Sequence, residues 1–274
     1  MKITEVFCEP PEERLLAALR QLNVSHEILL DTVYFKLCQD SKAYRAIIPF
    51  TAQKDRIQIV SFLEAERSAA AWLEIAPRSP SVEILNEDEA FAFSCTYIGE
   101  DGAEHAQHRR QVAPFEVKDE VKWAKRKLFT APDDGGSELF TCGAVKQLVK
   151  DANITGCGFL TVFNRKTGMP CKDTFQLTAR TEIPMKSISL GRGETEQLCP
   201  LCGKKQYVLE NTYQLHLVQH LLPTTVDIIR TPAVFHDGQA EAVTLISQRF
   251  YQTLKGAGLC YGLDFTPAIL ESQT

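Results

Sequence analysis

The sequence predicts an α+β fold, and three features of the chain support this class. The segment 11–22 is rich in leucine and places apolar residues at helical spacing after a proline pair. Short runs rich in β-branched and aromatic residues follow it, which is typical of strands. Two later segments, 137–151 and 247–256, return to helical spacing, and each leads into a strand-like run. The chain therefore combines a strand-rich first half with two helix–strand units.

The first half is expected to be mostly β-structure, with the helix at 11–22 as its cover. Pro, Gly, Asn and Asp residues bound the apolar runs that we interpret as strands. These runs are residues 32–37, 46–50, 57–62, 72–75, 81–85, 91–98, 110–118 and 121–129. Residues 64–71 are rich in alanine and predict a short helix instead.

An Asp-Asp-Gly-Gly break at 133–136 predicts a boundary between two domains. The first is a β-rich domain at 1–132, and the second is an α+β domain at 137–274 with a knuckle-like insert at about 195–222. In the second domain, Ser137 and Ser247 are expected to cap helices that end near residues 151 and 256. The strands expected there are residues 158–163, 174–181, 227–230 and 259–265.

The two helix–strand units resemble each other in sequence. Residues 149–154 read Val-Lys-Asp-Ala-Asn-Ile, and residues 254–259 read Leu-Lys-Gly-Ala-Gly-Leu. With one residue of slip, a glycine and a phenylalanine that follow also match. The sequence leaves open whether this is a repeat or a chance likeness of two similar supersecondary structures.

The composition is that of an ordinary globular protein, with 274 residues of which 44% are hydrophobic. Thirty Lys and Arg against 35 Asp and Glu give a formal net charge of −5, so the basic surplus of non-specific nucleic-acid binders is missing. The chain has nine cysteines, no signal-peptide pattern and no apolar run of membrane-spanning length. We therefore expect reduced thiols and a cytoplasmic protein without membrane contact.

The motif Cys199-Pro-Leu-Cys202-Gly predicts half of a tetrahedral zinc site, because one tight turn brings two thiolates to the same ion. His216 and His220 follow at a spacing close to that of two-Cys two-His fingers. If residues 213–222 form a helix, both imidazoles lie on one face, one turn apart. Zinc held by these four residues would be structural, because no position stays open for water or substrate.

A strand interpretation of the same segment competes with the helix. Apolar residues alternate at Tyr213, Leu215 and Leu217, and this strand could form a hairpin with residues 206–209. The imidazoles of the two histidines would then be roughly 13 Å apart and could not bind one ion. The cysteine pair would then use other ligands or bind no metal. The reserve ligands are Cys171, Cys157 and His236.

Seven carboxylates lie between residues 83 and 104 with no Lys or Arg among them. They are Glu83, Glu87, Asp88, Glu89, Glu100, Asp101 and Glu104. One interpretation is a pair of solvated loops around the strand at 91–98. The other is a docking face for a basic partner, because complementary charge accelerates and orients association.

A basic run follows at Lys118, Lys122, Lys125, Arg126 and Lys127, with Trp123 and Phe129 as ring faces. Asp119 and Glu120 dilute its charge, so it is a weak candidate for nucleic acid. No hydrolase, phosphate-loop or metalloprotease motif occurs, and no catalytic residue is assigned.

The closing segment resembles the last element of bacterial immunity-like proteins found beside polymorphic toxins. The resemblance is carried by residues 245–254, Gly258-Leu259 and 262–267, which form a Ser-capped helix, a Gly-Leu turn and a final strand ending in Phe-x-Pro. Cys199-x-x-Cys202-Gly is similar to one half of the pair that names the double-CxxCG members of this group.

The resemblance implies a non-enzymatic protein that binds and neutralises a toxin. The acidic first half fits a basic nuclease as the partner, since carboxylates would stand where the nuclease expects phosphates. The alternative is a zinc-finger nucleic-acid binder, based on the Cys199 to His220 spacing and the nearby Lys204 and Lys205. One finger, however, contacts only about three base pairs.

Overall fold

The structure is a computed structural model. It describes residues 1–30, 32–51, 57–77, 83–98, 104–130, 138–189, 195–198, 205–208, 214–232, 234–236 and 239–272. Contacts divide the chain into two compact units, Met1–Ala69 and Ala70–Thr274. None of the helices in this described part is long and apolar enough to cross a bilayer.

The first unit is a four-stranded antiparallel sheet with two helices packed on its core. Its elements are β1 (Lys2–Glu9), α1 (Glu13–Gln21), β2 (His26–Leu29), β3 (Thr32–Cys38), α2 (Lys42–Ile47), β4 (Ile57–Ser61) and α3 (Glu64–Ala69). The strand order is β2-β3-β1-β4. The shared core consists of Phe7, Leu15, Leu19, Val33, Phe35, Leu37 and Ile47.

The edge strand β2 exposes apolar side chains. Ile28, Leu29 and Leu30 are 51%, 57% and 100% exposed, and β2 pairs only with β3 among the described strands. An edge strand of this kind presents unpaired backbone groups beside apolar surface, which is a common place for another protein to pair.

The second unit contains most of the strands. Its elements are β5 (Trp72–Pro77), α4 (Glu87–Ala90), β6 (Phe91–Ile98), β7 (Glu104–Gln111), β8 (Glu116–Val117), β9 (Leu128–Thr130), β10 (Leu139–Thr141), α5 (Gly143–Asp151), β11 (Cys157–Asn164), β12 (Pro170–Ala179), β13 (Thr195–Leu198), β14 (Lys205–Val208), β15 (His216–Val218), β16 (Ile228–Arg230), β17 (Val234–His236), β18 (Gln239–Glu241), β19 (Thr244–Ser247), α6 (Gln248–Gly256), β20 (Leu263–Pro267) and β21 (Ile269–Glu271).

Two four-stranded arrangements in this unit share one plan. In the first, β10 leads through α5 to β11, β12 lies between these two strands, and β9 flanks β10. In the second, β19 leads through α6 to β20, β5 lies between them, and β16 flanks β19. All of these pairings are antiparallel. The central strand follows the helix unit in one case and precedes it in the other, so the two arrangements are related by a permutation.

The turns that end α5 and α6 are alike in detail. The chain reverses through a residue of positive φ in both, Asn153 at 51° and Gly258 at 69°. The same backbone hydrogen bonds, both 2.9 Å, run from Ile154 N to Val149 O and from Leu259 N to Leu254 O. Side chains of both helices share one core cluster. The match between residues 149–154 and 254–259 is therefore also a match of structure.

Three smaller sheets complete the second unit. The strands β6 and β7 form a two-stranded ribbon, and β13-β14-β17-β18 form a separate sheet. The short strand β15 pairs in parallel with β21 near the C-terminus. Phe91, at the start of the ribbon, packs at 5.4 Å against the ring of Phe115 and so anchors it to a core cluster.

The α+β class is confirmed, together with the helices near 11–22, 64–71 and 247–256. The compact units meet at Ala69 and Ala70, whereas the sequence places the boundary at 133–136. Residues 133–136 lie outside the described residues, but the strands on either side, β9 and β10, pair within one sheet. Several predictions are wrong: residues 46–50 are helical, and residues 112–115 and 121–127 are irregular. In addition, α5 begins at Gly143, and the strand expected at 259–265 begins at Leu263.

Candidate functional site

The cysteines of the predicted zinc site, Cys199 and Cys202, lie outside the described residues. The strands on either side of them are described, and they form an antiparallel hairpin in which Leu198 pairs with Lys205. The segment 199–204 therefore connects two paired strands. A Cys-x-x-Cys pair at the end of a hairpin is a typical place for the first two ligands of a structural zinc.

The histidines of the predicted site lie in β15 and in the turn after it. His216 begins β15, and His220 is exposed in the 3₁₀ turn Gln219–Leu221. Residues 214–222 thus form neither the continuous helix nor the continuous strand. The hairpin with residues 206–209 is also wrong, because β14 has β13 on one side and β17 on the other.

His216 is held by a carboxylate. Its Nδ1 lies 2.8 Å from Oε1 of Glu271. The other oxygen of this carboxylate, Oε2, accepts a hydrogen bond from the Ser189 hydroxyl. These two bonds, first from Ser189 and then from His216, hold the pKa of the Glu271 carboxyl below its usual range. A histidine that donates through Nδ1 to a carboxylate keeps its Nε2 lone pair for a metal, as many zinc-bound histidines do.

The same three side chains do not form a hydrolase triad. In a triad the imidazole lies between the hydroxyl and the carboxylate, so that it can take the proton from the hydroxyl. Here the carboxylate of Glu271 lies between Ser189 and His216. The imidazole of His216 is therefore not placed to take the proton from the Ser189 hydroxyl.

The reserve thiols are poorly suited to bind metal. Burial raises the pKa of Cys171 to about 11, with a smaller contribution from the charge of Glu120. Burial also raises the pKa of Cys157. Both thiols therefore release a proton to a metal ion less readily than an exposed cysteine does. The third reserve ligand, His236, lies in β17, and no cluster of three metal-binding side chains occurs among the described residues.

The predicted acidic residues are divided between the two ends of the ribbon. Glu83, Glu87, Asp88 and Glu89 precede β6 or lie in α4, next to the end where Phe91 pairs with Gln111. Glu104 pairs with Ile98 at the other end, and Glu100 and Asp101 lie outside the described residues. Strands of eight residues place these ends about 23 Å apart, at roughly 3.3 Å per residue.

Two of these carboxylates are described in detail. Glu83 is exposed, and Glu89 is exposed while it accepts a hydrogen bond of 3.3 Å from Arg165. Exposed pairs of this kind contribute about 0–1 kcal/mol, so Glu89 can exchange its partner at little cost.

A cavity of about 770 Å³ in the second unit was not predicted as a site. The aromatic residues that line it are Trp123, Phe129 and Tyr261. The indole Nε1 of Trp123 donates to the carbonyl of Asp173 at 2.7 Å, and its ring centroid lies 4.9 Å from that of Phe129. Tyr261 is 57% exposed. Trp123 is thus a fixed wall, and Tyr261 is an open ring face.

Four cations line the same cavity. They are Lys118, Lys122, Lys125 and Arg126. Lys125 Nζ lies 5.9 Å from the centroid of the Tyr261 ring. The Arg126 side chain packs on Gly262, where an added Cβ would approach its Cγ and Nε to 3.1 Å. None of the four forms an ion pair with a described residue.

The acidic residues of the basic run have partners of their own. Asp119 binds Lys166 at 2.6 Å, and this hydrogen bond lowers the pKa of Asp119. Glu120 Oε1 accepts from the backbone amide of Lys172 at 2.5 Å. Lys166 therefore balances the charge of Asp119, whereas Glu120 keeps its negative charge beside the basic run. Tyr261 was missed because it is more than a hundred residues away; a tyrosine in a glycine-rich turn was the only signal.

Asp227 joins the two four-stranded arrangements. Its carboxylate accepts from the Thr155 amide at 2.8 Å, the Thr155 hydroxyl at 3.0 Å and the Ser247 hydroxyl at 2.7 Å. Arg249 binds it through Nε at 2.9 Å and through a second nitrogen. Burial alone would raise the pKa of Asp227, but the bonds from Arg249, Thr155 and Ser247 outweigh it and lower that pKa to about 2.

A second polar network also crosses between the arrangements. Glu138 is 4% exposed and accepts from Arg230 at 3.0 Å and from Gln176 at 2.8 Å. Gln176 and Gln111 exchange two further hydrogen bonds of 2.7 and 2.9 Å. Both networks connect residues that are far apart in the sequence. Buried polar networks of this kind stabilise the fold.

Comparisons with known proteins give no family for this chain. No protein-family model matches its sequence. No curated protein matches it either.

Proposed function

We propose that this protein acts by binding a basic protein partner, in the manner of the immunity-type proteins that its closing segment resembles, and that the partner is a toxin. The observation that carries the proposal is the ribbon β6–β7, with carboxylates at both ends. The partner is neutralised by occupation, and no catalytic residue takes part.

The size of the ribbon suits one protein interface. A standard interface buries about 800 Å² on each partner, which corresponds to a round patch about 30 Å across. The acidic ends of the ribbon are about 23 Å apart, so one partner can contact both. Carboxylates spaced in this way would steer a basic partner and fix its orientation.

The exposed edge strand β2 supports the same class of function. Three consecutive apolar residues on an unprotected edge favour association with another protein rather than a small molecule. The local structure of the closing segment also agrees with the resemblance. Ser247 Oγ accepts from the Phe250 amide at 3.2 Å as the helix cap, and β20 ends at Pro267, with β21 following it.

Reversal of charge at both ends of the ribbon is the decisive test. The candidate partner is the product of a neighbouring toxin gene, and binding is measured by calorimetry with both proteins purified. We expect Glu89→Lys/Glu104→Lys to weaken binding by about tenfold or more, and most strongly at low salt. The same pair of substitutions should abolish rescue of cells that express the toxin.

The control carries the same charge change elsewhere. Asp40→Lys/Glu182→Lys alters two exposed carboxylates that belong neither to the ribbon nor to the edge strand β2. Its affinity should stay within about twofold of the natural protein. Equal losses in the two double variants, or no loss in the first, would contradict docking at the ribbon.

We also propose one structural zinc ion at Cys199, Cys202, His216 and His220. The supporting observations are the hairpin β13–β14 around the cysteines and the carboxylate that orients His216. Zinc at this place would fix the connection between the hairpin and β15.

Metal analysis tests the zinc proposal. Purified protein should contain about one zinc per chain, and Cys199→Ser/Cys202→Ser should contain none, because zinc needs both thiolates. Cys8→Ser/Cys260→Ser removes two other cysteines and should retain the metal. Zinc well below one per chain in the natural protein would exclude this site.

A further inference from the structure

We propose that the cavity beside residues 117–126 binds a nucleoside phosphate, either as a free nucleotide or as the 5′-phosphate end of a single strand. This inference is separate from the toxin-binding proposal, because it uses the cations of the cavity and not the carboxylates of the ribbon.

The dimensions of the cavity are those of a small-molecule site. Its volume of about 770 Å³ falls within the range of about 300–1,000 Å³ that is typical of ligand pockets. Trp123 is held on two sides, by the Asp173 carbonyl and by the ring of Phe129. The wall therefore exists before a ligand arrives.

The cations of the cavity are available for a phosphate. Lys118, Lys122 and Lys125 are exposed and form no ion pair with any described residue. Of the three carboxylates that line the cavity, Asp119 binds Lys166, Glu120 accepts from an amide, and Glu83 is exposed. Four cations against three carboxylates, one of which is bound to Lys166, leave a positive excess on this concave surface, and such an excess attracts an anion.

Arg126 is placed by its contact with Gly262. Gly262 has a φ of 78°, and the absence of a Cβ lets the arginine stem lie against the backbone. The guanidinium is thus held at the cavity wall by packing of its stem. A planar guanidinium fixed in this way can bind phosphate oxygens through two parallel hydrogen bonds.

The rings favour a nucleoside over a simple anion. Tyr261 is an exposed ring next to the cations, with Lys125 near its face. Nucleobases stack on such rings, and the neighbouring cations bind the phosphates. Glu83, which lines the same cavity, supplies a carboxylate acceptor for a ribose hydroxyl or a base amino group. An acidic peptide would use the cations but not the rings.

Calorimetric titration with defined ligands tests this inference. The probes are ATP, tripolyphosphate, adenosine, and oligothymidylate with and without a 5′-phosphate. We expect saturable binding of ATP, and binding weaker by about tenfold or more for tripolyphosphate and for adenosine, since each lacks one half of the recognised chemistry. A 5′-phosphorylated strand that binds more tightly than ATP would identify a strand end as the source, and the reverse order would identify a free nucleotide.

Three variants locate the binding. Lys122→Glu/Lys125→Glu should weaken ATP binding by about tenfold or more, and Tyr261→Ala should weaken ATP but leave tripolyphosphate unchanged. The matched control Lys36→Glu/Lys186→Glu changes two exposed lysines outside the cavity and should have no effect. All of these side chains are exposed, so the fold is expected to be retained.

The inference is overturned if neither ATP nor the phosphorylated strand saturates the protein. It is also overturned if tripolyphosphate binds as tightly as ATP, or if the cavity variants and the lysine control behave alike. None of these outcomes bears on the toxin-binding proposal, because that proposal is tested by the substitutions of Glu89 and Glu104.

Discussion

The variant Asp227→Ala is expected to lose about 3 kcal/mol of the free energy of unfolding of the second unit. Asp227 is 5% exposed, and its carboxylate is the common acceptor for Thr155, Ser247 and Arg249. Alanine leaves the Thr155 amide and the Ser247 hydroxyl, both part-buried, without their charged acceptor. Arg249 is half-exposed and can return to water, which keeps the loss below that of a fully buried ion pair.

Urea denaturation followed by tryptophan fluorescence measures this loss. Both tryptophans, Trp72 and Trp123, lie in the second unit, so the signal reports on the part of the chain that contains Asp227. Asp151→Ala is the control, because Asp151 is exposed and bonded to Gln147 on the same helix. We expect the control to change stability by less than about 0.5 kcal/mol. Equal losses of unfolding free energy in the two variants would contradict a structural role for Asp227.

The stabilisation by Asp227 should depend on pH in a defined window. Its pKa is about 2 in the folded protein and 3.8 as the ordinary value, so protonation favours the unfolded chain. The contribution is complete above about pH 4 and is lost as the pH falls toward about 2. The difference in stability between the natural protein and Asp227→Asn should therefore shrink over that range, by up to about 2 kcal/mol.

Local sequence signals were sufficient for the start and end of α6 and for the end of α5, but not for the start of α5 at Gly143. The cap at Ser247 and the turn after α6 follow from residue types whose preferences act within a few positions. The turn after α5 was found for the same reason. Strands near β5 and β12 were expected, but their pairing was not predictable, because β5 comes from a distant segment and β12 lies between β10 and β11.

The errors arose where tertiary contacts override local pattern. Residues 46–50 form an apolar run, but Ser41 caps a helix there by accepting from the Tyr44 amide at 3.0 Å. No strand was predicted at the N-terminus, because β1 turns Glu5 and Glu9 toward buried positions where the pattern requires apolar residues. Residues 121–127 alternate like a strand, yet Trp123 is held by a hydrogen bond from its indole instead of a sheet ladder.

The candidate sites also divide into features that are visible in the sequence and features that depend on tertiary contacts. The cysteine motif and the acidic run were visible because their residues are adjacent in sequence. The sequence placed the acidic residues on both sides of a strand at 91–98, but it did not show the residue-by-residue pairing of β6 with β7. The cavity required Tyr261 to fold back onto the basic run, and the partners of Asp119 and Glu120 were equally remote.

The variant Arg230→Met is expected to cost about 3 kcal/mol or more, because it leaves the buried carboxylate of Glu138 without its counter-charge. Gln176 would remain as a neutral donor to that carboxylate. Glu138→Gln should cost less, since Arg230 is about one-third exposed and can be hydrated. The order of the two single variants follows from this difference in burial, and tryptophan fluorescence in urea measures both.

The double variant Arg230→Met/Glu138→Gln decides whether the ion pair or the packing is responsible. Removal of the carboxylate charge together with the arginine should recover about 1 kcal/mol or more relative to Arg230→Met alone. Strict additivity of the two single variants would mean that the pair has no coupling energy. Glu138 precedes β10 and Arg230 ends β16, so a measured coupling would show that the two permuted arrangements are held in register by this charge pair as well as by Asp227.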